Sequence, residues 1–476
     1  MNLNQINPPT IYNIFPRLAG PIPNWKSQIP HAKSMGFSWI YLNPFNKFGI
    51  SGSLYAIHDY FQIDPLFAAD AEDCTSWGSF RQFVTEARAN GLRVMMDLVV
   101  NHTAIDAVES HPQWYTHKWM LFDIDTGHPV QVYESVLKAE IKVDETRFPS
   151  EKFELRYDVA RPYATNPGNT NEVQIWGDLA EIQFDSPYLT EIMAFLKKYV
   201  HFCLDLGVDG FRCDAAYQVV GEIWKELIDY AKHINPGVIF WAETLGAGYE
   251  QHLNLEGCGF DYFANSSKWW DYTAPWCVEQ HNLYREYAPS IGFPESHDTP
   301  RLALESENRQ EVQVFKYFFA AFFSEGVLMP MGYEFGARNK LHVVETSPSD
   351  QEPINFNISQ VIAKINILKQ NHPVMREEGL LVQYPYPDSN ILVLKKETQD
   401  GSNQMLLIYN KDWGKVHEVS IEDITGFLHY GTQIFDISDL ESEKTTKPYS
   451  DKKIYKNLIP NEFLLFSQSK ESPSLL

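Results

Sequence analysis

From residue 10 to about residue 370, short apolar runs alternate with longer helical patterns, and this alternation limits the fold more than any other feature. Strand-like runs fall at residues 10–15, 38–42, 93–100, 210–214, 238–243, 260–263, 290–293 and 327–329. Helical periodicity lies between and after them, at 27–34, 75–90, 192–206, 220–233, 311–324 and 359–370, with Gly91 stopping the second. Continuous apolar strands separated by helices predict a parallel sheet covered by helices on its faces. Eight strand candidates in this order favour a closed (β/α)8 barrel over an open doubly wound sheet.

Two stretches break the rhythm. Between Thr103 and Asp185 the chain is rich in Pro, Asn, Tyr, Thr and charge, with little regular pattern. A loop of that length is uncommon in a compact unit unless it is functional, so it reads as an excursion on the C-terminal face of the barrel after the third strand. After Pro373 come short strand-like runs at 391–394, 405–409, 416–421 and 463–466, split by polar turns. That texture predicts a small antiparallel β-sandwich. The expected organisation is a barrel from residues 1–103 and 186–373, an inserted domain at 104–185 and a C-terminal β-domain at 374–476.

Charge narrows the partners. Lys plus Arg number 39 and Asp plus Glu 62, a net charge of −23. So acidic a chain repels phosphate backbones and anionic lipid, which argues against nucleic-acid and membrane-surface roles and leaves neutral partners open. Aromatic residues at 14% suit the flat faces of sugars, although larger cores would account for them equally well. Cys74, Cys203, Cys213, Cys258 and Cys277 are odd in number and contain no CxxC, so they form neither a disulfide framework nor a zinc site. The first nine residues lack a basic and apolar leader pattern, and the apolar stretch 314–331 carries Lys316, Glu325 and Pro330. The stretch therefore reads as a buried helix feeding a strand. A reducing cytoplasmic location is the default expectation, and unconventional export would leave no trace in the sequence.

The chemistry-bearing residues cluster at predicted strand ends, where barrel enzymes keep their active sites. Asp214 ends the fourth strand, Glu243 the fifth, and His297-Asp298 follows the seventh. Arg212 is two residues before Asp214 and so shares its strand face. Asn101-His102 follows the third strand. Retaining cleavage of a glycosidic bond needs a carboxylate nucleophile and a protonated carboxylic acid about 5–5.5 Å apart. Arg212 suits Asp214 to the first role, and the apolar run before Glu243 suits that residue to the second. Singly, each is as readily an N-cap, a structural ion pair or a core histidine. Their ordered recurrence after strands three, four, five and seven is what points to a site.

The segments Asp97-Leu-Val-Val-Asn-His102, Gly210-Phe-Arg-Cys-Asp-Ala-Ala216, Ala242-Glu243 and Phe293-Pro-Glu-Ser-His-Asp298 resemble, in order, four motifs of the α-amylase family of glycoside hydrolases, family 13. The resemblance spans roughly residues 10–470. Leu54-Tyr-Ala-Ile-His-Asp-Tyr60 resembles the segment whose tyrosine, here Tyr55, stacks on the sugar being cleaved, and Trp176-Gly-Asp-Leu-Ala-Glu-Ile182 the one that closes the inserted domain. The resemblance implies Asp214 as nucleophile, Glu243 as acid and then base, and Asp298 as binder of ring hydroxyls. It also implies Arg212 as the residue orienting Asp214, with Tyr55, His102 and His297 contacting the same sugar. No cofactor is required for such chemistry. Asn101 would be the ligand of a structural calcium, which many members of the family hold. Tyr217-Gln218 and Ser296 depart from the family pattern, where Lys-His and Asn are usual. The expected activity is retaining cleavage of α-1,4-glucosidic bonds in an α-glucan or maltooligosaccharide. The alternatives are a 4-α-glucanotransferase or other transglycosylase on the same machinery and, more remotely, a non-catalytic carbohydrate-binding relative. Trp269-Trp270 and Gly332-Tyr-Glu-Phe-Gly-Ala-Arg338 are further candidates for lining the pocket, or for barrel packing near the last strands. Oligomeric state is not encoded legibly.

Overall fold

A computed structural model of the chain describes residues 7–69, 73–166, 169–270, 275–428, 433–440 and 447–469. Residues 1–6, on which most of the leader reading rests, lie outside these. Eight parallel strands close a barrel: β1 (Thr10–Ile14), β2 (Trp39–Leu42), β3 (Arg93–Leu98), β4 (Gly210–Cys213), β5 (Ile239–Ala242), β6 (Tyr262–Ala264), β7 (Ser290–Gly292) and β8 (Gly326–Pro330). Each strand pairs with its neighbours in sequence, and β8 returns to β1 through Thr10 opposite Val327. All eight coincide with sequence expectations to within a few residues.

The barrel is filled by inward side chains, including Ile11, Trp39, Tyr41, Met95, Trp241, Ile291 and Leu328. Gly210 opens β4 where the interior is tight, since a Cβ there would lie 2.8 Å from the Ile239 side chain. The helices α1 (Gln28–Ser34), α2 (Gly78–Ala89), α3 (Leu189–Leu206), α4 (Gly221–Ile234), α5 (Gln310–Phe323) and α6 (Ser359–Asn371) fall at the expected positions. The apolar stretch 314–331 resolves into the buried end of α5 and β8, and among the described residues no helix is long and apolar enough to cross a membrane. None of the five cysteines forms a disulfide.

Residues 104–185 carry more regular structure than their sequence pattern suggests, much of it in short strands. His117–Asp123 is the centre of a three-stranded antiparallel sheet flanked by Pro129–Tyr133 and Phe153–Val159. Tyr163–Asn166 pairs with Asn169–Ile175, and Leu179–Glu181 pairs back onto His102–Ala104 beside the barrel. The signal was present: Phe153, Leu155, Tyr157 and Val159 alternate with Glu154, Arg156 and Asp158. The strands are short and half exposed, so propensity and hydropathy mark them weakly.

Past residue 380, six strands form an antiparallel sheet in the order Leu381–Tyr384, Ile391–Glu397, Gln404–Asn410, Phe463–Ser469, Gln433–Asp436, Lys447–Pro448. His417–Ile421 and Ile454–Leu458 form a separate pair, and Val419 and Leu458 share a core with Val393, Ile408 and Phe466. This region is joined to the barrel through the C-terminal end of α5. The last carbonyls of a helix have no partner within it. Here Lys369 of α6 donates to Ala321 O (2.8 Å), Ser324 O (2.6 Å) and Met375 O (2.7 Å), and Lys396 of the sheet donates to Phe322 O (2.6 Å). Both lysines are fully buried, and on the same helix Phe318 stacks on Phe463 at 4.7 Å. Lys369→Met leaves three buried carbonyls without donors. The expected loss is about 2–3 kcal/mol of unfolding free energy, read from urea denaturation, and an unchanged midpoint would refute this role.

Candidate active site

At the C-terminal mouth of the barrel, one cavity of about 380 Å3 is lined by Tyr55, Asn101, His102, Arg212, Asp214, Glu243, His297 and Asp298. All eight residues singled out in the sequence therefore meet at one place. They arrive from the ends of four strands and from one hairpin turn. Arg212 points into the barrel from β4, and its register partner on β3 is Asp97. The guanidinium lies 2.8 Å from Asp97 Oδ1 and 2.5 Å from Asp214 Oδ1. Burial opposes the charge of Arg212, yet these neighbours carry its pKa well above the ordinary arginine value. Asp97 is itself 3% exposed and accepts hydrogen bonds from the Tyr41 and Tyr55 hydroxyls. Burial pushes it up to about 6 although Arg212 pulls the other way.

Directly after Asp214, Ala215 adopts a left-handed conformation with φ 42°, costly for a residue with a Cβ. That turn aims its N–H at Glu243 Oε2 (3.0 Å), while Leu245 N–H donates to Glu243 Oε1 (2.7 Å). The strand before Glu243 is wholly buried. Burial and the neighbouring Asp214 charge raise the Glu243 pKa to about 7, against the opposing pull of Arg212.

β7 ends at Gly292, so residues 293–298 run irregularly, and the adjacent His297 and Asp298 both reach the cavity. The His297 ring lies parallel to Tyr55 (centroids 5.5 Å apart, 7° between planes), with Nε2 2.7 Å from the Tyr55 hydroxyl and 3.2 Å from Asp298 Oδ2. Tyr55 sits in the turn of a hairpin, Asn46–Phe48 with Ile57–Ile63. His102 Nε2 lies 3.2 Å from the Tyr55 carbonyl oxygen. Burial lowers the pKa of both histidines, which favours neutral rings. Asp298 is the open member, its side chain 52% exposed.

Asn101 faces Gln218, to which its amide donates (3.0 Å), and its Oδ1 is buried without a partner. Calcium takes six to eight oxygens, and one orphan amide oxygen does not make such a set. Among the described residues no three His, Cys, Asp or Glu side chains converge on a metal position.

Sequence reasoning left Asp97 out of the site, although an aspartate inside an apolar strand has to find a buried partner. Trp176, Asp178 and Leu245 also line the cavity without having been assigned a place there. Of the paired tryptophans, Trp269 lines it and is 52% exposed, whereas Trp270 is buried against Phe323 at 4.2 Å. Gly332, Glu334, Phe335 and Ala337 line a different cavity.

A parallel eight-stranded barrel with an Arg-paired aspartate and a high-pKa glutamate at its C-terminal mouth defines a carboxylate-bearing TIM barrel. Residues 2–118 match the family model described as glycogen debranching enzyme, glucanotransferase domain. An α-1,4-glucan:maltose-1-phosphate maltosyltransferase from Burkholderia pseudomallei is 25% identical over 398 residues, 81% of this chain and 31% of that one. A maltogenic α-amylase from Bacillus acidopullulyticus is 21% identical over 86% of this chain and 65% of its own length. In fold, the chain superposes on a crystal structure of an α-amylase from Lactobacillus plantarum with TM-score 0.66, 19% identity, and coverage of 97% and 99%. The chain is thus similar in sequence to proteins described as glucanotransferase, maltosyltransferase and maltogenic α-amylase, and in fold to an α-amylase. It spans about a third of the length of the first of these relatives and two thirds of the second.

Asp97→Asn leaves the buried Arg212 with Asp214 as its one remaining carboxylate contact. The expected cost is about 3 kcal/mol of stability, measured by chemical denaturation, and a wild-type midpoint would show that the pair is dispensable.

Proposed function

We propose that the protein is a retaining enzyme acting on α-1,4-linked glucose units of an α-glucan or maltooligosaccharide. The observation that carries this reading is the pairing of two unlike carboxyl groups in one cavity: Asp214 against a guanidinium, and Glu243 raised to about 7. Asp214 attacks the anomeric carbon while Glu243 gives its proton to the departing glycosidic oxygen. The C–O bond breaks, and the sugar is left on Asp214 as a glycosyl ester. Glu243, now a carboxylate, takes a proton from the incoming water or sugar hydroxyl, whose oxygen displaces Asp214. Neutral His102 and His297 and the open Asp298 offer hydrogen bonds to hydroxyls of the sugar being transferred. Trp269 and Tyr217 offer surfaces for the rest of the glucan.

Transfer to a sugar hydroxyl instead of water is the second reading. It is favoured by the match of residues 2–118 to a glucanotransferase model and by the maltosyltransferase relative. Incubation with maltoheptaose, followed by mass spectrometry and reducing-end assay, separates the two. Only shorter products with rising reducing ends mean hydrolysis; longer and shorter products with constant reducing ends mean transfer. Asp214→Asn is expected to lower kcat on the order of 10⁴-fold or more, and near-wild-type turnover would sink the mechanism.

The acid must be protonated to act. kcat/KM is therefore expected to fall as pH rises through about 7, where Glu243 loses its proton. A profile flat from pH 5 to 9 would reassign the acid.

A further inference from the structure

Strand order divides the mouth of the barrel into two sides. Glu243 follows β5, and it is flanked by Tyr217, after β4, and by Trp269, after β6. Tyr55 comes after β2, and in a closed ring of eight strands β6 stands across from β2. Trp269 therefore faces the cavity from the side opposite Tyr55. Glu243 handles the proton of the oxygen that leaves and of the oxygen that enters, so the group bearing that oxygen lies within hydrogen-bond reach of Glu243.

Trp269 is held in place by its neighbours. It ends the short turn Ser267–Trp269. Ser267 Oγ donates to Phe293 O (2.9 Å) and accepts from Phe293 N–H (2.9 Å). The buried Lys268 pairs with Glu305, and Trp270 Nε1 donates to Gln280 Oε1 (3.1 Å). A large flat ring kept open at a cavity wall by anchored neighbours suits a ligand that covers it, as the C–H face of a pyranose does. Charge narrows that ligand further. Asp178, Asp214 and Asp298 line the cavity, and Arg212 is the one lysine or arginine among its described lining residues. Arg212 is already met by Asp97 and Asp214. Lys340 bears on His297 through space but lines a separate cavity. Negative charge is thus in surplus, and in a partly enclosed site it repels phosphate.

We propose that Tyr217 and Trp269 form the acceptor side of the site and that the acceptor is an uncharged sugar, with inorganic phosphate and phosphorylated sugars excluded. This rests on the function proposed above and specifies its acceptor. The acceptor's ring lies on Trp269 with one hydroxyl toward Glu243. That hydroxyl gives its proton to the Glu243 carboxylate, its oxygen bonds to the anomeric carbon, and Asp214 departs as a carboxylate. During cleavage the same surface holds the departing glucan.

Two substrates separate the sides of the site. Maltoheptaose fills both, whereas α-maltosyl fluoride carries fluoride in place of the departing glucan and reads the donor side alone. In Trp269→Ala the ratio of kcat/KM on maltoheptaose to that on α-maltosyl fluoride is expected to fall roughly tenfold. Trp269→Phe, which keeps a flat ring, is expected to restore most of it. An unchanged ratio in Trp269→Ala, or a ratio as low in Trp269→Phe, would overturn the acceptor side. The acceptor's charge is read by inhibiting maltoheptaose cleavage with glucose and with glucose 6-phosphate at equal ionic strength. Glucose 6-phosphate is expected to inhibit several-fold more weakly. Equal or stronger inhibition would overturn the exclusion of phosphate, as would maltose 1-phosphate formed from α-maltosyl fluoride and inorganic phosphate. A wild-type protein that uses neither donor refutes the proposed function. The acceptor side is then decided by calorimetric binding of maltotriose: weaker binding in Trp269→Ala would uphold it, and equal affinity would overturn it.

Discussion

A guanidinium enclosed in the mouth of a barrel fixes much of what surrounds it. Arg212 is 4% exposed, so its charge has to be met by protein groups rather than water. Asp97 meets it from the next strand at the same register position, and Asp214 meets it from the first residue past β4. The two contacts hold Asp214 and Arg212 in one fixed arrangement. They also draw in Tyr41 and Tyr55, whose hydroxyls close around the second oxygen of Asp97. Through Tyr55 the same network reaches His297 and the carbonyl facing His102. The mouth of the barrel thus holds one connected polar set built outward from a buried cation.

Glu243 owes its different character to a different neighbourhood. It follows a buried strand and accepts two backbone N–H bonds, one of them presented by the left-handed turn at Ala215. Backbone donors orient the carboxyl group, and burial favours its protonated form. One carboxyl group in the cavity thus lies beside a cation, while the other sits in a dry cradle that raises its pKa to about 7.

Away from the mouth, the same rule of satisfying buried polar atoms organises the rest of the molecule. Lys369 and Lys396 cap the C-terminal end of α5 from two directions, tying the outer barrel to the antiparallel sheet that follows it. Glu334 shows the rule incompletely met: one oxygen is bonded and the other is buried without a donor.

The sequence by itself determined the strand and helix order, the barrel and the residues that meet at its mouth. Those follow from local periodicity and from the rule that strand ends of a parallel barrel converge. It under-read the stretch between Thr103 and Asp185, because short half-exposed strands such as Phe153–Val159 carry little hydropathy contrast. It placed Asp214 and Glu243 without their surroundings, and it passed over Asp97, whose significance lies in its register against Arg212. Tertiary structure alone decided that Trp269 faces the cavity while Trp270 is core, that the Gly332 segment borders a separate cavity, and that Asn101 meets Gln218. The reason is physical: a residue's identity sets what chemistry it can do, but burial, hydrogen-bond partners and protonation state belong to contacts between segments far apart in the chain.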